Sequence, residues 1–248
     1  MTPTQIKRYA RHLVLKEIGG PGQNKLLGSR LVIVGAGGLG GPAALYAAAA
    51  GIGHITIIDD DAVDISNLQR QIQFSLKDLE QPKAQILTHK LAALNSDLTL
   101  KTHNVRLTKE TAHHLLEDHD IIMDGTDSFE TRFLINQASY DLKIPLISGA
   151  LGRFDGHVGL FNSSVEAPCY QCFVPDIPPN AETCSDVGVV GAIAGVIGSL
   201  MALETVKHIT GAGQSLEGHI YLYDGLKTQG RRVGLPKDLN CSICNSPK

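Results

Sequence analysis

A glycine-rich segment near the start of the chain has the composition of a phosphate-binding turn. The segment GAGGLG follows a short apolar run at 31–34 and precedes a run of small residues at 39–50 with helical character. Its glycines let the backbone turn sharply and approach an anion, and the N–H groups that open a helix favour negative charge. These glycines are Gly35, Gly37, Gly38 and Gly40. The alternative is a glycine turn that serves only close packing.

An acidic residue stands where a dinucleotide-binding site needs one. Asp59 ends the next predicted strand, about 20 residues after the glycine turn, where its carboxylate can accept hydrogen bonds from ribose hydroxyls. Strand, turn, helix and acid together predict a nucleotide site. The sequence contains no Walker A lysine pattern, which excludes a P-loop enzyme.

Two cations that follow this turn favour a triphosphate over a nicotinamide cofactor. Arg70 lies in the segment NLQRQ, and Lys83 follows Pro82. A hydride-transfer site has no need of these cations, whereas a site that neutralises a triphosphate and a departing pyrophosphate does. The alternative is that both are solvated surface charges, the usual situation of Lys and Arg.

Four of the five cysteines occur in two pairs with the spacing of metal ligands. The pairs Cys169-x-x-Cys172 and Cys241-x-x-Cys244 predict a structural Cys₄ zinc site that joins the end of the chain to the body. The alternative is a thioredoxin-like redox pair. The fifth, Cys184, follows a Pro-rich stretch, and is either a small buried residue or a thiol with a chemical role.

The elements that must position these residues alternate between strand and helix, which predicts an α/β fold with a doubly wound, mostly parallel sheet. Strands are predicted at 31–34, 54–58, 98–102, 120–124 and 144–148, and helices at 4–17, 39–50, 78–94, 128–142 and 190–210. Residues 19–23 are predicted to form a loop. Alternating segments at 156–162 and 218–224 predict half-exposed strands that extend this Rossmann-like sheet with antiparallel pairing.

We therefore expect one continuous unit over residues 1–248. It begins with the helix 4–17, continues with a nucleotide-binding half at 28–150 and ends with a half at 151–248 that carries the zinc ligands. The chain has 43% hydrophobic and 19% charged residues, which is typical of a globular protein. Its net charge of −3 and 5% aromatic content argue against a general nucleic-acid binder.

Targeting signals are not evident in the sequence. The N-terminus has no apolar region of a secretory signal, and the longest apolar run, Val187 to Leu203, is shorter than the roughly 20 residues of a membrane span. We expect this run to form a buried core helix and the protein to be cytoplasmic, with no membrane partner. The paired cysteines then indicate metal or thiol chemistry, and not a disulfide framework.

Several segments together resemble the activating enzymes of ubiquitin-like sulfur carriers, the ThiF/MoeB/HesA family, which are bacterial relatives of ubiquitin-activating enzymes. The resemblance extends from RYARH near the start of the chain to the last cysteine pair. It is carried by the segments GAGGLG, DDDAVDISNLQRQ, QPK, DGTDSFETR, CYQC and CSIC.

The resemblance implies an adenylyltransferase that uses ATP and Mg²⁺ to activate the C-terminal Gly-Gly carboxylate of a small ubiquitin-like sulfur carrier. It places the carrier on the C-terminal half and the pathway in thiamine-thiazole or molybdopterin biosynthesis. It assigns Asp59 to the ribose, Asp127 to magnesium, and Arg11 to the ATP site of a second subunit in a homodimer. The implied nucleotide contacts further include Asp61, Asn67, Arg70 and Lys83.

The resemblance also gives Cys184 the role of a thiol that accepts the activated acyl group or joins a persulfide relay with a sulfurtransferase or cysteine desulfurase. Two other functions are weighed against this one: an NAD-dependent oxidoreductase on the same fold, and a non-catalytic scaffold that binds carriers. Because the sequence ends shortly after Cys244, we expect no fused sulfurtransferase domain.

Overall fold

One eight-stranded sheet organises the computed structural model, which describes residues 1–177 and 188–245. The strand order is β3-β2-β1-β4-β5-β6-β7-β8. The strands are β1 (Arg30–Val34), β2 (His54–Ile58), β3 (Thr99–His103), β4 (Ile121–Asp124), β5 (Leu146–Leu151), β6 (Asp155–Phe161), β7 (His219–Asp224) and β8 (Gln229–Gly234).

The first five strands pair in parallel and the last three in antiparallel fashion, which confirms the predicted fold class. Helices cover both faces. They are α1 (Pro3–Arg8), α2 (Ala10–Leu13), α3 (Gly19–Gly28), α4 (Gly40–Ala50), α5 (Lys83–Leu94), α6 (Lys109–Leu116), α7 (Phe129–Leu142), α8 (Tyr170–Phe173) and α9 (Gly191–Thr210).

The central strands are apolar on both faces because helices cover both. In β1, Leu31 and Ile33 join one buried cluster, whereas Val32 and Val34 join the other. A strand buried on two sides therefore appears as a continuous apolar run without alternation, which is why these strands can be recognised in the sequence.

The N-terminal part of the chain differs from the prediction. The helix expected over 4–17 is broken at Tyr9, whose backbone is not helical, and helical structure ends at Leu13. Tyr9 is buried, and its hydroxyl accepts a hydrogen bond of 2.9 Å from the side chain of Asn95. This long-range contact fixes Tyr9 at the expense of helix continuity. The predicted loop at 19–23 is the first half of α3, where Pro21 is compatible with the first turn.

Other boundaries were also predicted wrongly. The helix expected from 78 begins at Lys83, after a short 3₁₀ turn at 76–78. Strand β8 was not predicted, because all six of its residues are exposed and lack an apolar alternation. It forms by backbone pairing with β7 alone.

Among the described helices, α9 is the one long and apolar enough to cross a membrane. It packs inside the molecule against α4, β5 and β6, as the sequence analysis expects of a core helix. Two glycines of α9 allow other backbone segments to approach this helix closely. A Cβ on Gly191 would lie 2.1 Å from the carbonyl oxygen of Gln69, and one on Gly198 would lie 2.6 Å from that of Leu39.

Candidate functional site

A cleft of about 260 Å³ opens at the carboxyl ends of β1, β2 and β4, where the chain passes from β1 to β2 on one side of the sheet and later enters the other side at β4. It is lined by residues that follow the carboxyl ends of these three strands, at 35–39, 59–61 and 125–128. Open parallel sheets bind ligands at such a switch point, because the diverging loops leave a crevice there. The cleft is therefore the place where the predicted nucleotide site belongs.

The glycine turn forms the floor of this cleft. Gly35 has a φ of +91°, a conformation that disfavours other residues, and a Cβ on Gly40 would lie 1.8 Å from the carbonyl oxygen of Gly35. Gly35, Gly37 and Gly38 line the cleft, whereas Gly40 permits the tight turn behind it. The N–H groups of Gly37 and Gly38 make no hydrogen bond within the described chain. They are free to bind an anion.

Asp59 holds the glycine turn as well as facing the cleft. Its Oδ2 accepts the backbone N–H of Ala36 at 2.7 Å, and its Oδ1 accepts that of Asp61 at 2.8 Å. Burial raises the pKa of Asp59, while these two hydrogen bonds and the charge of Lys83 oppose that rise. A carboxylate oxygen accepts more than one hydrogen bond, so these contacts leave acceptor capacity for a ribose hydroxyl.

The predicted cations Arg70 and Lys83 both line the cleft. The side chain of Lys83 is only 7% exposed, and its ammonium group contacts Asp61 Oδ2 at 2.8 Å. A buried charge needs such a partner. Arg70 is less constrained, since one guanidinium nitrogen donates to the carbonyl oxygen of Ser66 at 3.1 Å. The backbone at Gln69 and Arg70 rests against Gly191 of α9, which fixes where this arginine leaves the chain.

Asp127 supplies a carboxylate to the cleft, in contrast to the cations Arg70 and Lys83. It is exposed in the cleft and makes no hydrogen bond or ion pair with any residue that the structure describes. The neighbouring Asp124, by contrast, is fully buried and accepts hydrogen bonds from Thr126 and Ser148. Asp124 therefore shapes the loop, and the free carboxylate of Asp127 fits a hard cation such as Mg²⁺.

Arg132 also lines the cleft and supports the same loop. Its guanidinium donates to the carbonyl oxygen of Thr126 at 2.8 Å and lies over the ring of Phe129.

The imidazole of His157 is largely buried and packs edge-to-face on Phe173 at 5.0 Å. Burial, with a smaller contribution from the charge of Arg132, lowers the pKa of His157 to about 4.

Sequence analysis missed several residues of the cleft. Arg106 adds a cation, Gln71 is a buried amide that faces Gly37, and the side chains of Val34, Ile58 and Leu107 form an apolar part able to hold a base. The segment 105–107 follows β3, and the carboxyl ends of neighbouring parallel strands share one edge of a sheet. This rule could have predicted from the sequence that Arg106 lies in the cleft.

Two other predicted residues lie outside the lining of the cleft. Asn67 is the last residue of a short 3₁₀ turn that Asp64 caps, and its Oδ1 accepts the N–H of Asp64 at 3.3 Å. Arg11 is exposed on α2. Cys184 lies outside the described residues.

The four paired cysteines meet in one cluster. Their Sγ atoms all lie within 4.8 Å of one another, with separations of 3.4 Å (Cys172 to Cys244), 3.5 Å (Cys169 to Cys241) and 3.9 Å (Cys169 to Cys172). A tetrahedral zinc ion with bonds of about 2.3 Å to sulfur requires about 3.8 Å between sulfurs. The donor set therefore fits such an ion, and all four cysteines are free thiols.

These features define a nucleotide-binding protein of the Rossmann type with a four-cysteine cluster able to hold a metal ion. The model of the ThiF family matches residues 9–243. The chain therefore belongs to the ThiF family.

Two relatives and one solved structure show how far the similarity extends. The chain is 38% identical over 249 residues to the sulfur carrier protein adenylyltransferase of Thermus thermophilus, covering 98% of this chain and 92% of that protein. It is 43% identical over 244 residues to the adenylyltransferase and sulfurtransferase MOCS3 of Aedes aegypti, covering 97% of this chain but 56% of that protein.

The crystal structure of Escherichia coli MccB with MccA-N7isoASN superimposes with a TM-score of 0.85 at 21% identity, and covers 97% of this chain and 75% of that chain. At this identity the likeness establishes the fold alone.

The lowered pKa of His157 predicts a dependence of stability on pH. His157 binds a proton near pH 6.5 in the unfolded chain but only near pH 4 in the folded chain. The free energy of unfolding is therefore unaffected by His157 above pH 6.5 and decreases as the pH falls towards 4. The wild type is expected to lose about 2.4 kcal/mol of stability through His157 between pH 7 and pH 4.5, and His157→Phe is expected to abolish this loss, measured by urea unfolding at both pH values. The exposed His89 provides the control His89→Phe. An unchanged pH dependence in His157→Phe would contradict this assignment.

Proposed function

We propose that this chain is an ATP-dependent adenylyltransferase that activates the C-terminal Gly-Gly carboxylate of a small ubiquitin-like sulfur carrier. The observation that carries the proposal is that one cleft combines a glycine turn with free N–H groups, the cations Arg70 and Lys83, and the unpaired carboxylate of Asp127. The name of the Thermus thermophilus relative, sulfur carrier protein adenylyltransferase, supports the same activity.

The chemistry explains why these groups are combined. A carboxylate oxygen attacks the α-phosphorus of ATP, the bond from that phosphorus to the pyrophosphate oxygen breaks, and the products are an acyl-adenylate and pyrophosphate. Because the carboxylate is already ionised at neutral pH, no general base is required. The difficulty is electrostatic, since two anions must approach each other and charge develops on the leaving group.

The residues of the cleft offset this electrostatic repulsion through their positions. The glycine N–H groups orient the phosphates, Arg70 and Lys83 offset their negative charge, and Asp59 accepts the ribose hydroxyls. A magnesium ion held by Asp127 would supply further charge neutralisation at the phosphates. Asp61 holds the Lys83 ammonium group in place through their ion pair.

The apolar part of the cleft suits the adenine base. An NAD-dependent oxidoreductase would instead need a proton donor near the nicotinamide, and the described residues that line the cleft include no histidine or tyrosine. No observation favours a non-catalytic scaffold over an enzyme.

We infer that Arg11 serves the cleft of a second subunit in a homodimer. The segment that carries it is attached to the far end of α5, through Tyr9 to Asn95 and through Arg8 to the carbonyl oxygen of Leu94. Helix α5 begins at Lys83 in the cleft and extends about 18 Å to that far end. Arg11 therefore lies too far away to reach the ATP of its own chain.

The remaining assignments follow from the proposed activity. We infer that the four-cysteine cluster holds a structural Zn²⁺, and that Asn67 contributes to phosphate binding only after its turn adjusts. Cys184 is proposed as the thiol that receives the activated acyl group or takes part in a persulfide relay, with a sulfurtransferase or cysteine desulfurase as partner. The carrier, and with it the thiamine-thiazole or molybdopterin pathway, is identified by testing each Gly-Gly carrier in turn.

Exchange of labelled pyrophosphate into ATP tests both the reaction and the role of Asp127. We expect carrier-dependent exchange in the wild type and a decrease of about 100-fold in Asp127→Asn, because the metal loses its carboxylate ligand. The exposed Asp118 provides the matched control Asp118→Asn. Full exchange in Asp127→Asn would contradict the assignment of Asp127 to magnesium. The absence of exchange by the wild type with any Gly-Gly carrier would contradict the proposed function.

Mixing two weakly active variants tests the role of Arg11 across the dimer. Arg11→Ala and Asp127→Asn are each expected to retain little activity. When they are unfolded together at equal amounts and refolded, half of the dimers combine one of each and contain one complete site, so that about a quarter of the wild-type activity returns. If Arg11 acts within its own chain, mixing restores nothing.

Metal analysis tests the zinc site. We expect about one zinc ion per chain in the purified wild type, and close to none in Cys241→Ser, with a lower thermal midpoint because the C-terminal segment loses its attachment. The matched control is Cys184→Ser, which changes the cysteine that belongs to neither Cys-x-x-Cys pair and is expected to keep its zinc. Wild-type protein without zinc would contradict the assignment.

A further inference from the structure

Gln73 makes an unusual contact with the glycine turn. Its side chain is buried, and its Nε2 donates hydrogen bonds to two successive carbonyl oxygens of the turn, those of Ala36 at 2.7 Å and Gly37 at 3.0 Å. A single amide group thus contacts two neighbouring peptide units, and the carbonyl oxygen of Gly37 also accepts the N–H of Gly41 at 3.0 Å. Gln73 is not among the described residues that line the cleft.

Because of peptide geometry, this contact also determines the direction of two N–H groups at the cleft. In a planar trans peptide, the C=O and N–H bonds point in opposite directions. When the carbonyl oxygens of Ala36 and Gly37 point to Gln73, the N–H groups of Gly37 and Gly38 point away from it. Both glycines line the cleft, and neither N–H has an acceptor in the described chain. Two adjacent, parallel N–H groups of this kind form an anion-binding concavity.

The backbone of Gln73 is itself anchored. The ammonium group of Lys90 donates to the carbonyl oxygen of Gln73 and contacts Asp78 Oδ2 at 2.8 Å. Lys90 belongs to α5, a helix packed against the sheet. The amide of Gln73 is therefore held in place relative to the glycine turn.

Gly41 provides the room that this amide occupies. A Cβ on Gly41 would lie 2.2 Å from both Cδ and Nε2 of Gln73. The obstructing atoms are the far end of a flexible side chain, so a methyl group here would displace the Gln73 amide and leave the helix backbone in place.

We propose that Gln73 is a positioning residue that orients the N–H groups of Gly37 and Gly38 toward the phosphates of the bound nucleotide. The proposal rests on the proposed function, since it requires that ATP binds in this cleft. Gln73 acts through the turn and touches neither ATP nor the carrier. Its removal should therefore weaken the binding of phosphate-bearing ligands and leave the binding of a nucleoside without phosphate unchanged.

Calorimetric titration of Gln73→Leu with ATP and with adenosine tests this selectivity. We expect the Kd for ATP to rise about tenfold, since two hydrogen bonds to charged phosphate oxygens lose their alignment, and the Kd for adenosine to change less than twofold. The exposed Gln85 on α5 provides the matched control Gln85→Leu, with both constants unchanged. Equal weakening of both ligands, or of neither, would overturn the proposal and leave Gln73 a residue that only supports the fold.

A second variant keeps the test decisive if Gln73→Leu does not fold. Gly41→Ala leaves Gln73 intact but displaces its amide, and should reproduce the loss that is selective for ATP. Its control is Gly195→Ala in α9, where a Cβ meets nothing within 4 Å. Wild-type protein that binds no ATP contradicts the proposed function, whereas wild-type binding with an unaffected Gly41→Ala contradicts only the role of Gln73.

Discussion

The structure depends on a turn whose peptide N–H groups must stay unpaired and yet point in one direction. Unpaired backbone donors are costly away from water, and a glycine-rich segment has many conformations in which they could be satisfied. Side chains from outside the turn restrict that freedom. Asp59 accepts the N–H of Ala36 on one side, and Gln73 donates to the carbonyl oxygens of Ala36 and Gly37 on the other. The N–H groups of Gly37 and Gly38, which line the cleft, are among the donors that remain.

Helix α5 secures both of these contacts. Lys83, at its start, pairs with Asp61, whose backbone N–H is bonded to Asp59, and Lys90, two turns later, binds the carbonyl oxygen of Gln73. The long connection between β2 and α5 is thus attached to one rigid helix at two points. This arrangement explains why a connection with little regular structure can position a phosphate-binding turn.

The parts of the molecule that were predictable are those whose signal is local. The strands β1 and β2 appear as apolar runs because both of their faces are buried, and the glycines, Asp59 and the cysteine pairs stand at spacings that their chemistry requires. The parts that were missed depend on distant contacts. Tyr9 breaks a helix because of Asn95, and Gln73 acts on a carbonyl 37 residues away. Residue type alone did not distinguish Gln73 from a surface glutamine.

The antiparallel half raises a different physical problem, because its last segment has little core of its own. After β8 the chain continues without further regular structure to the second cysteine pair, and the buried cluster there consists of Cys169, Cys241 and Cys244 with few neighbours. Burial raises the pKa of Cys169 and raises that of Cys244 to about 11, so that without a cation both thiols stay neutral and bind their neighbours weakly. The zinc ion that we propose would convert them to thiolates and join positions 72 residues apart. Metal ligation would thereby provide the attachment that hydrophobic packing provides in the parallel half.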